Sequence, residues 1–398
     1  MKIEYPYFNE IIQKKVKQVL KSGRVNYWTG NECKNFEKEF SIYHNIKYSL
    51  SVSNGSVALE LALQALNLKK TDSVIVTPRS FVVSASCVIN LGLKPIFADV
   101  DHNGNLNIEG IQKAYNKNVK AIIVVHLNGL SCDLDPILKF IKKNELFLIE
   151  DCSQAHGAIY KGKKVGSFGH LSTWSFCQDK IMSTGGEGGM ISTNNKKLWL
   201  KLWSLKDHGK NYKSVFYKKH KTGFKWLHDD FGSNYRMTEM QAVIGREQLK
   251  SLDKQIKRRN IIANLYLNGL KDYYLKYDIL KKPDFKFQTF SQKKNKKKYN
   301  QYLHAFYRLN LFINKNKIKQ NKLIQQLNKN KIDCGVGSCP EIYREKIFKK
   351  LKFYPKKRLL NAKLLGETSI MFRINPYKNL AKIKLEINSI KRILNNYL

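Results

Sequence analysis

The sequence predicts an α/β protein: a largely parallel sheet with helices on both faces, followed by a smaller C-terminal α/β domain. Two observations carry this. Between residues 48 and 150, short apolar runs alternate with segments of helical periodicity. The runs are near-continuously apolar, as strands covered on both faces are. From about residue 193 the pattern turns helical, and after Asp272 lysine and asparagine dominate a weaker αβ pattern.

Each element has its own signal. Residues 48–53 read as a strand, and 56–68 as a helix with Leu59, Leu63 and Leu66 at helical spacing. Then come strand 73–77, helix 81–91, strand 95–99, helix 108–115, strand 121–125, helix 134–143 and strand 146–150. An apolar strand at 173–176 precedes the helices 196–206 and 238–270, the second long enough to link two domains. Strand-like 302–309, helix-like 318–328 and a helix near 382–394 make up the smaller domain. The expected division is 1–245, a large domain with an N-terminal arm, and 246–398. Sheets of this kind bind ligands at the carboxyl ends of their strands. There Asn54-Gly55-Ser56 follows one strand and Asp151 ends another.

Composition narrows the class. The 398 residues allow two sizeable cores, and 42% hydrophobic content marks a globular chain. The longest apolar stretches are too short to span a bilayer, and the start, Met-Lys-Ile-Glu-Tyr-Pro-Tyr, lacks a signal-peptide core. Seven scattered cysteines without a CxxC pair argue for a reducing cytoplasm and against a metal site. The net charge of +41 is spread along the chain with no nucleic-acid motif, so it reads as compositional bias toward lysine. Neither a nucleic-acid nor a membrane partner is expected. A positive field would still attract an anionic substrate such as a nucleotide diphosphate. The densest run, 293–298, reads as a solvated loop.

The chemistry converges on Lys180. It closes Ser-Thr-Trp-Ser-Phe-Cys-Gln-Asp-Lys and precedes Gly185-Gly186-Glu187-Gly188-Gly189. An isolated lysine means nothing in so basic a chain. Here an apolar strand leads to it, where desolvation and a neighbouring cation would lower its pKa and free the amine for a Schiff base. The glycine run after it would let backbone approach the cofactor; the competing reading is a flexible loop. Gly55 and Ser56 sit where a strand turns into a helix, and free N–H groups and the helix dipole favour phosphate there. The alternative is an ordinary βα turn capped by Ser56. Ser175, five residues before the lysine, could add a donor to the phosphate. Asp151, ending a buried strand, suits a pyridinium nitrogen that must stay protonated; otherwise it caps the next turn. Gln154 could bond a ring hydroxyl or be a surface amide. Phe81 could stack on a ring or pack in the core. An amine, a carboxylate and a phosphate cradle together are the equipment for pyridoxal 5'-phosphate (PLP).

The ordered motifs carry a family. Ser-Asn-Gly-Ser-x-Ala-Leu, Thr-Pro-x-Ser-Phe, Glu-Asp-Cys-Ser-Gln-Ala-His-Gly-Ala, Ser-Phe-x-x-x-Lys with Gly-Glu-Gly-Gly, and Asn234-Tyr-Arg-Met-Thr-Glu-Met-Gln-Ala resemble the DegT/StrS-type sugar aminotransferases. The resemblance covers roughly residues 5–260 and weakens beyond. It implies PLP-dependent transferase fold type I, with a mostly parallel seven-stranded-type large-domain sheet. It implies that Lys180 takes the cofactor covalently and moves the proton, that Asp151 pairs with the pyridinium, and that Gln154 contacts the ring hydroxyl. Phe81 would stack on the ring, while Gly55, Ser56 and Ser175 hold the phosphate. Asn234 would reach the phosphate of a second subunit's cofactor, making a homodimer with shared sites. The implied reaction moves an amino group from L-glutamate to a keto-sugar nucleotide for surface polysaccharide or other glycoconjugates. A keto-cyclitol acceptor, or a non-catalytic regulator that retains PLP, is the alternative. Two departures stand out: Cys177 where many members have histidine, and a loop from Lys180 to Glu187 one residue longer than the commonest form. Members with histidine in place of the lysine are sugar dehydratases; Lys180 argues against that.

Overall fold

The computed structural model describes residues 5–283 and 301–398, so the lysine run 293–298 lies outside the described residues. Two helices not foreseen from periodicity open it, α1 (Glu10–Lys21) and α2 (Glu32–His44). The main sheet then takes β1 (Tyr48–Val52), β2 (Ser73–Val76), β3 (Lys94–Phe97), β4 (Val119–Val125) and β5 (Phe147–Asp151). A small hairpin follows, β6 (Ile159–Tyr160) with β7 (Lys163–Lys164), and β8 (Leu171–Ser175) and β9 (Gly189–Thr193) complete the sheet. Its seven strands lie in the order β1-β9-β8-β5-β4-β2-β3. β9 runs antiparallel to both β1 and β8, and every other neighbouring pair is parallel. Six strands therefore end on one edge, which collects Asn54, Asp151 and Ser175.

Side-chain alternation feeds two cores. Val74, Val76, Ala121 and Ile123 face one core, with Leu59 and Leu63 of α3 (Gly55–Ala65), Val88 of α4 (Val83–Asn90) and Trp203. Ile75, Ile122 and Val124 face the other, with Phe36 and Phe40 of α2. Ile137 and Ile141, from the helix Leu134–Lys143, belong to this second core. Strands apolar on both faces are thus sandwiched, as their continuous apolarity implied. Helix Glu239–Gly269, the longest at 31 residues, is fixed at its start by a capping box of Thr238 and Gln241. Its first half packs Leu252 and Ile256 into the main core, and its second half packs Ile262 and Tyr266 into a third core. The expected boundary at 245/246 lies inside this helix. The third core covers an antiparallel sheet, β10 (Leu280–Lys281), β11 (Arg308–Ile313), β13 (Ser369–Arg373) and β12 (Cys334–Gly335), in that order.

The strand expected at 302–309 is displaced to Arg308–Ile313. Leu303 instead exchanges both backbone hydrogen bonds with Ile159 of the hairpin. The His304 ring takes the Phe306 N–H at 2.8 Å, with Phe306 at φ 45°. Residues 302–307 are thus held by partners outside the sheet.

Glu150 ties the sheet to the loop after the hairpin. Its buried carboxylate accepts the N–H groups of Gly166, Phe168 and Gly169 at 2.8, 2.8 and 2.6 Å. It also meets His126 Nε2 at 3.0 Å. Because His126 Nδ1 accepts from Cys132 N, Nε2 is the donor.

Burial holds His156 and His304 at about 3, well below the ordinary 6.5. Between those values the folded chain binds fewer protons than the unfolded chain, so these two residues withdraw stability as pH falls from about 6.5 toward 3. His304→Asn keeps an acceptor for Phe306. We expect it to flatten the fall in unfolding free energy between pH 7 and 5, read from urea curves, by up to about one proton's worth, ~1.4 kcal/mol per pH unit. An unchanged slope would contradict a neutral His304.

Candidate active site

The candidate phosphate cradle is built by close approach. Asn54 ends the first strand's run and caps α3, its Oδ1 accepting Val57 N–H at 2.9 Å. A Cβ on Gly55 would lie 2.6 Å from the Ser175 Cβ, so only glycine lets α3 start against the end of β8. A Cβ on Gly189 would meet the Asn54 carbonyl oxygen at 2.4 Å. The expected approach of the glycine run is therefore made to the 54–55 turn. The first N–H groups of α3 have no carbonyl within the helix, and Ser56 is exposed beside them. This corner, with the Ser175 hydroxyl at the next strand end, fits a phosphate. Gly55→Ala should leave the fold intact and weaken PLP binding about tenfold or more, since overpacking here costs ~1–3 kcal/mol. Fluorescence titration with PLP measures it, and unchanged affinity would contradict the cradle.

Asp151 is 4% exposed, with one carboxylate oxygen accepting Ser153 N–H at 3.0 Å. Burial raises its pKa, against the Ser153 hydrogen bonds and the charge of Lys180. No ion pair reaches it among the described residues, so a buried carboxylate is left to face a cationic ring nitrogen. Gln154 is buried too, its Oε1 accepting the Asn128 N–H at 2.7 Å. Asn128 adopts φ 57° in the turn after β4, a left-handed backbone that turns its N–H toward this amide. Gln154 is thus oriented rather than a surface amide.

Lys180 follows a turn in which its N–H bonds the Cys177 carbonyl at 3.0 Å. Its side chain is mostly buried, and Nζ lies 3.1 Å from Asp179 Oδ1 and 5.3 Å from the Tyr307 ring centre. Asp179 Oδ2 accepts the Tyr307 hydroxyl and Arg308 Nη2, the latter at 3.1 Å. Tyr5 donates to the carbonyls of Lys180 and Ile181. The expected depression of the lysine pKa is reversed. Burial pulls it down, but Tyr307 and Asp179 together raise it above the ordinary value. Among the described residues the charge nearest Nζ is the acid Asp179, and no cation outweighs it.

Phe81 is 67% exposed in the loop before α4, so it does not pack in the core. That helix starts at Val83 rather than 81, since Ser80 bridges Cys339. Asn234 is exposed, with its backbone bridged to Asp207 and its side chain near Arg236 N. Among the described residues no hydrogen bond or backbone bridge links it to the Gly55–Ser175–Lys180 group. Sequence reasoning missed Asp179, Tyr307, Arg308, Tyr5 and Asn128. Only Asp179 had a usable signal, its adjacency to the lysine. The others come from chain segments far away.

A family model described as the DegT/DnrJ/EryC1/StrS aminotransferase family matches residues 6–389. The chain belongs to that family. This aminotransferase resembles a solved aminotransferase from Psychrobacter cryohalolentis, 42% identical, with TM-score 0.94 and 99% of each chain covered. It resembles the GDP-perosamine synthase of Escherichia coli O157:H7, 38% identical over 242 residues, a match covering 61% of this chain and 64% of that one. An E. coli GDP-4-keto-6-deoxy-D-mannose-3-dehydratase solved with bound hydrated PLP is 26% identical, with TM-score 0.83 and 98% and 99% of the two chains covered. The architecture of this aminotransferase is fold type I, as the motifs implied. Its lysine, isolated buried carboxylate and glycine-walled cradle fit PLP. Among the described residues no helix is long and apolar enough to cross a membrane.

Proposed function

We propose that this aminotransferase moves an amino group from L-glutamate to a keto-sugar nucleotide, using PLP held at the Gly55–Ser175–Asp151–Lys180 corner. One observation carries the reading: Lys180, held by Asp179, stands beside a cleft of about 1100 Å³ that Asp179 lines together with Arg308, Lys331, Arg373, Lys378 and Lys382. Asp333 and Glu386 also line it and pair with Arg373 and Lys378, so the positive surplus comes from the remaining cations; a net positive cleft next to the reacting amine suits a diphosphate. Bound PLP supplies an electron-withdrawing ring that stabilises charge on the carbon exchanging its proton. Lys180 Nζ takes and returns that proton. Asp151 keeps the ring nitrogen protonated by its charge. Gly55, Ser56 and Ser175 hold the phosphate, Gln154 the ring hydroxyl, and Phe81 one ring face.

Phe224, Trp226 and Phe231 are 74, 75 and 94% exposed, just before Asn234. Surface aromatics of this size favour a covering partner. The reading takes that partner to be a second copy, whose phosphate site Asn234 would complete. The product would feed lipopolysaccharide or another surface glycan from the cytoplasm.

The test is an absorbance spectrum of the purified protein with PLP, before and after L-glutamate. GDP-, dTDP- and UDP-linked keto sugars and a keto-cyclitol then follow. Loss of the visible band with glutamate, and its return with a keto-sugar nucleotide alone, is expected. Return only with the cyclitol, or no response to glutamate, would overturn the assignment.

A further inference from the structure

Asp179 joins two parts of the chain at one carboxylate. Oδ1 meets Lys180 Nζ at 3.1 Å, while Oδ2 accepts from Tyr307 and, at 3.1 Å, from Arg308, where the chain enters β11. Arg308 also donates to the Tyr307 hydroxyl at 3.0 Å, so the three groups form a closed set. We propose that Asp179 is a positioning residue that clasps the Lys180 ammonium whenever its amine is free, and that Tyr307 and Arg308 set the strength of that clasp. This rests on the reading of Lys180 as the residue that bonds PLP.

The chemistry gives the clasp a cost. Joining Nζ to an aldehyde carbon requires a neutral amine. The ammonium must first give a proton to solvent, and the aldehyde oxygen then leaves as water. An anion 3.1 Å away favours the ammonium and so opposes that step. Arg308 shares the same carboxylate and weakens the opposition. The other groups bearing on Lys180 are Asp151 at the end of β5 and His156 in the following turn. Neither forms an ion pair with Nζ among the described residues. Burial lowers the lysine pKa, and Tyr307 and Asp179 more than restore it. The holding of Asp179 well ionised agrees, since Lys180 and Tyr307 outweigh its own burial.

Two isosteric or near-isosteric changes should act in opposite directions. The protein stripped of cofactor is mixed with saturating PLP, and covalent capture is trapped with borohydride and counted by mass. Asp179→Asn should speed capture about tenfold at each pH from roughly 7 to 9, the size expected for removing one close opposite charge. Arg308→Gln should slow it. Damage to the fold would slow both, so acceleration is the discriminating result. An unchanged or slower Asp179→Asn, or a faster Arg308→Gln, overturns the clasp. Should Asp179→Asn not yield folded protein, Asp179→Ser, which also removes the charge, carries the same expected acceleration. Lys180→Ala tests the underlying reading separately, because covalent capture by that variant would overturn the assignment of Lys180 whatever the other two do.

Discussion

Lys180→Ala is expected to lose amino transfer by a factor of about 10² or more, the usual contribution of a positioned acid–base group. It should still bind PLP without bonding to it. The reason is local: the Asp151 carboxylate and the Gly55–Ser175 corner do not involve the lysine side chain. A spectrum of the variant with PLP should therefore resemble free PLP in a protein environment, and borohydride should leave no covalent adduct. Turnover within tenfold of the parent would remove Lys180 from the reaction. Loss of PLP affinity together with turnover would instead show that the lysine chiefly holds the cofactor.

Glu150→Ala should be among the most damaging substitutions for stability. Its carboxylate is the acceptor for three loop N–H groups and for His126 Nε2. Removing it strands these buried donors and leaves a void under residues 166–169. A loss of about 3–5 kcal/mol is expected, as for breaking a buried charged network. Urea unfolding measures it, and a loss under about 1 kcal/mol would show that water replaces the carboxylate. Asp151 follows this residue directly, so slippage at 150 should also weaken PLP binding even where the chain stays folded.

The parts of the molecule that were legible in the sequence are those whose signal is local. Strands β2, β4 and β5 are continuous apolar runs because both their faces are buried, and helix Glu239–Gly269 shows its capping residues directly. The antiparallel insertion of β9 between β1 and β8 has no such signature, because a five-residue strand, here Gly-Met-Ile-Ser-Thr, carries no mark of its direction. The 302–309 segment was apolar enough for a strand, yet its backbone donors were claimed by Ile159 and the His304 ring. At the site, the chain-local pieces around Gly55, Asp151 and Ser175 do gather at one sheet edge. The groups that set the charge state of Lys180 do not advertise themselves. Tyr307 and Arg308 lie over a hundred residues away, and Tyr307 together with Asp179 reverses the pKa direction that local context suggested.

The contact between Gly55 and Ser175 also limits how this sequence can drift. A methyl group at 55 meets the Ser175 Cβ at 2.6 Å and its Cα at 3.1 Å. Alanine at 55 therefore fits without pushing α3 and β8 apart only after position 175 has shed its side chain, and even then the fit stays tight. Serine at 175 is in turn harmless only opposite glycine. Without such a displacement the two positions can change only in that order, and on the proposed reading the intermediate Ser175→Gly chain gives up a phosphate donor along the way. Two residues 120 apart in sequence are thereby bound into one heritable unit, with a path between states that runs through a weaker enzyme.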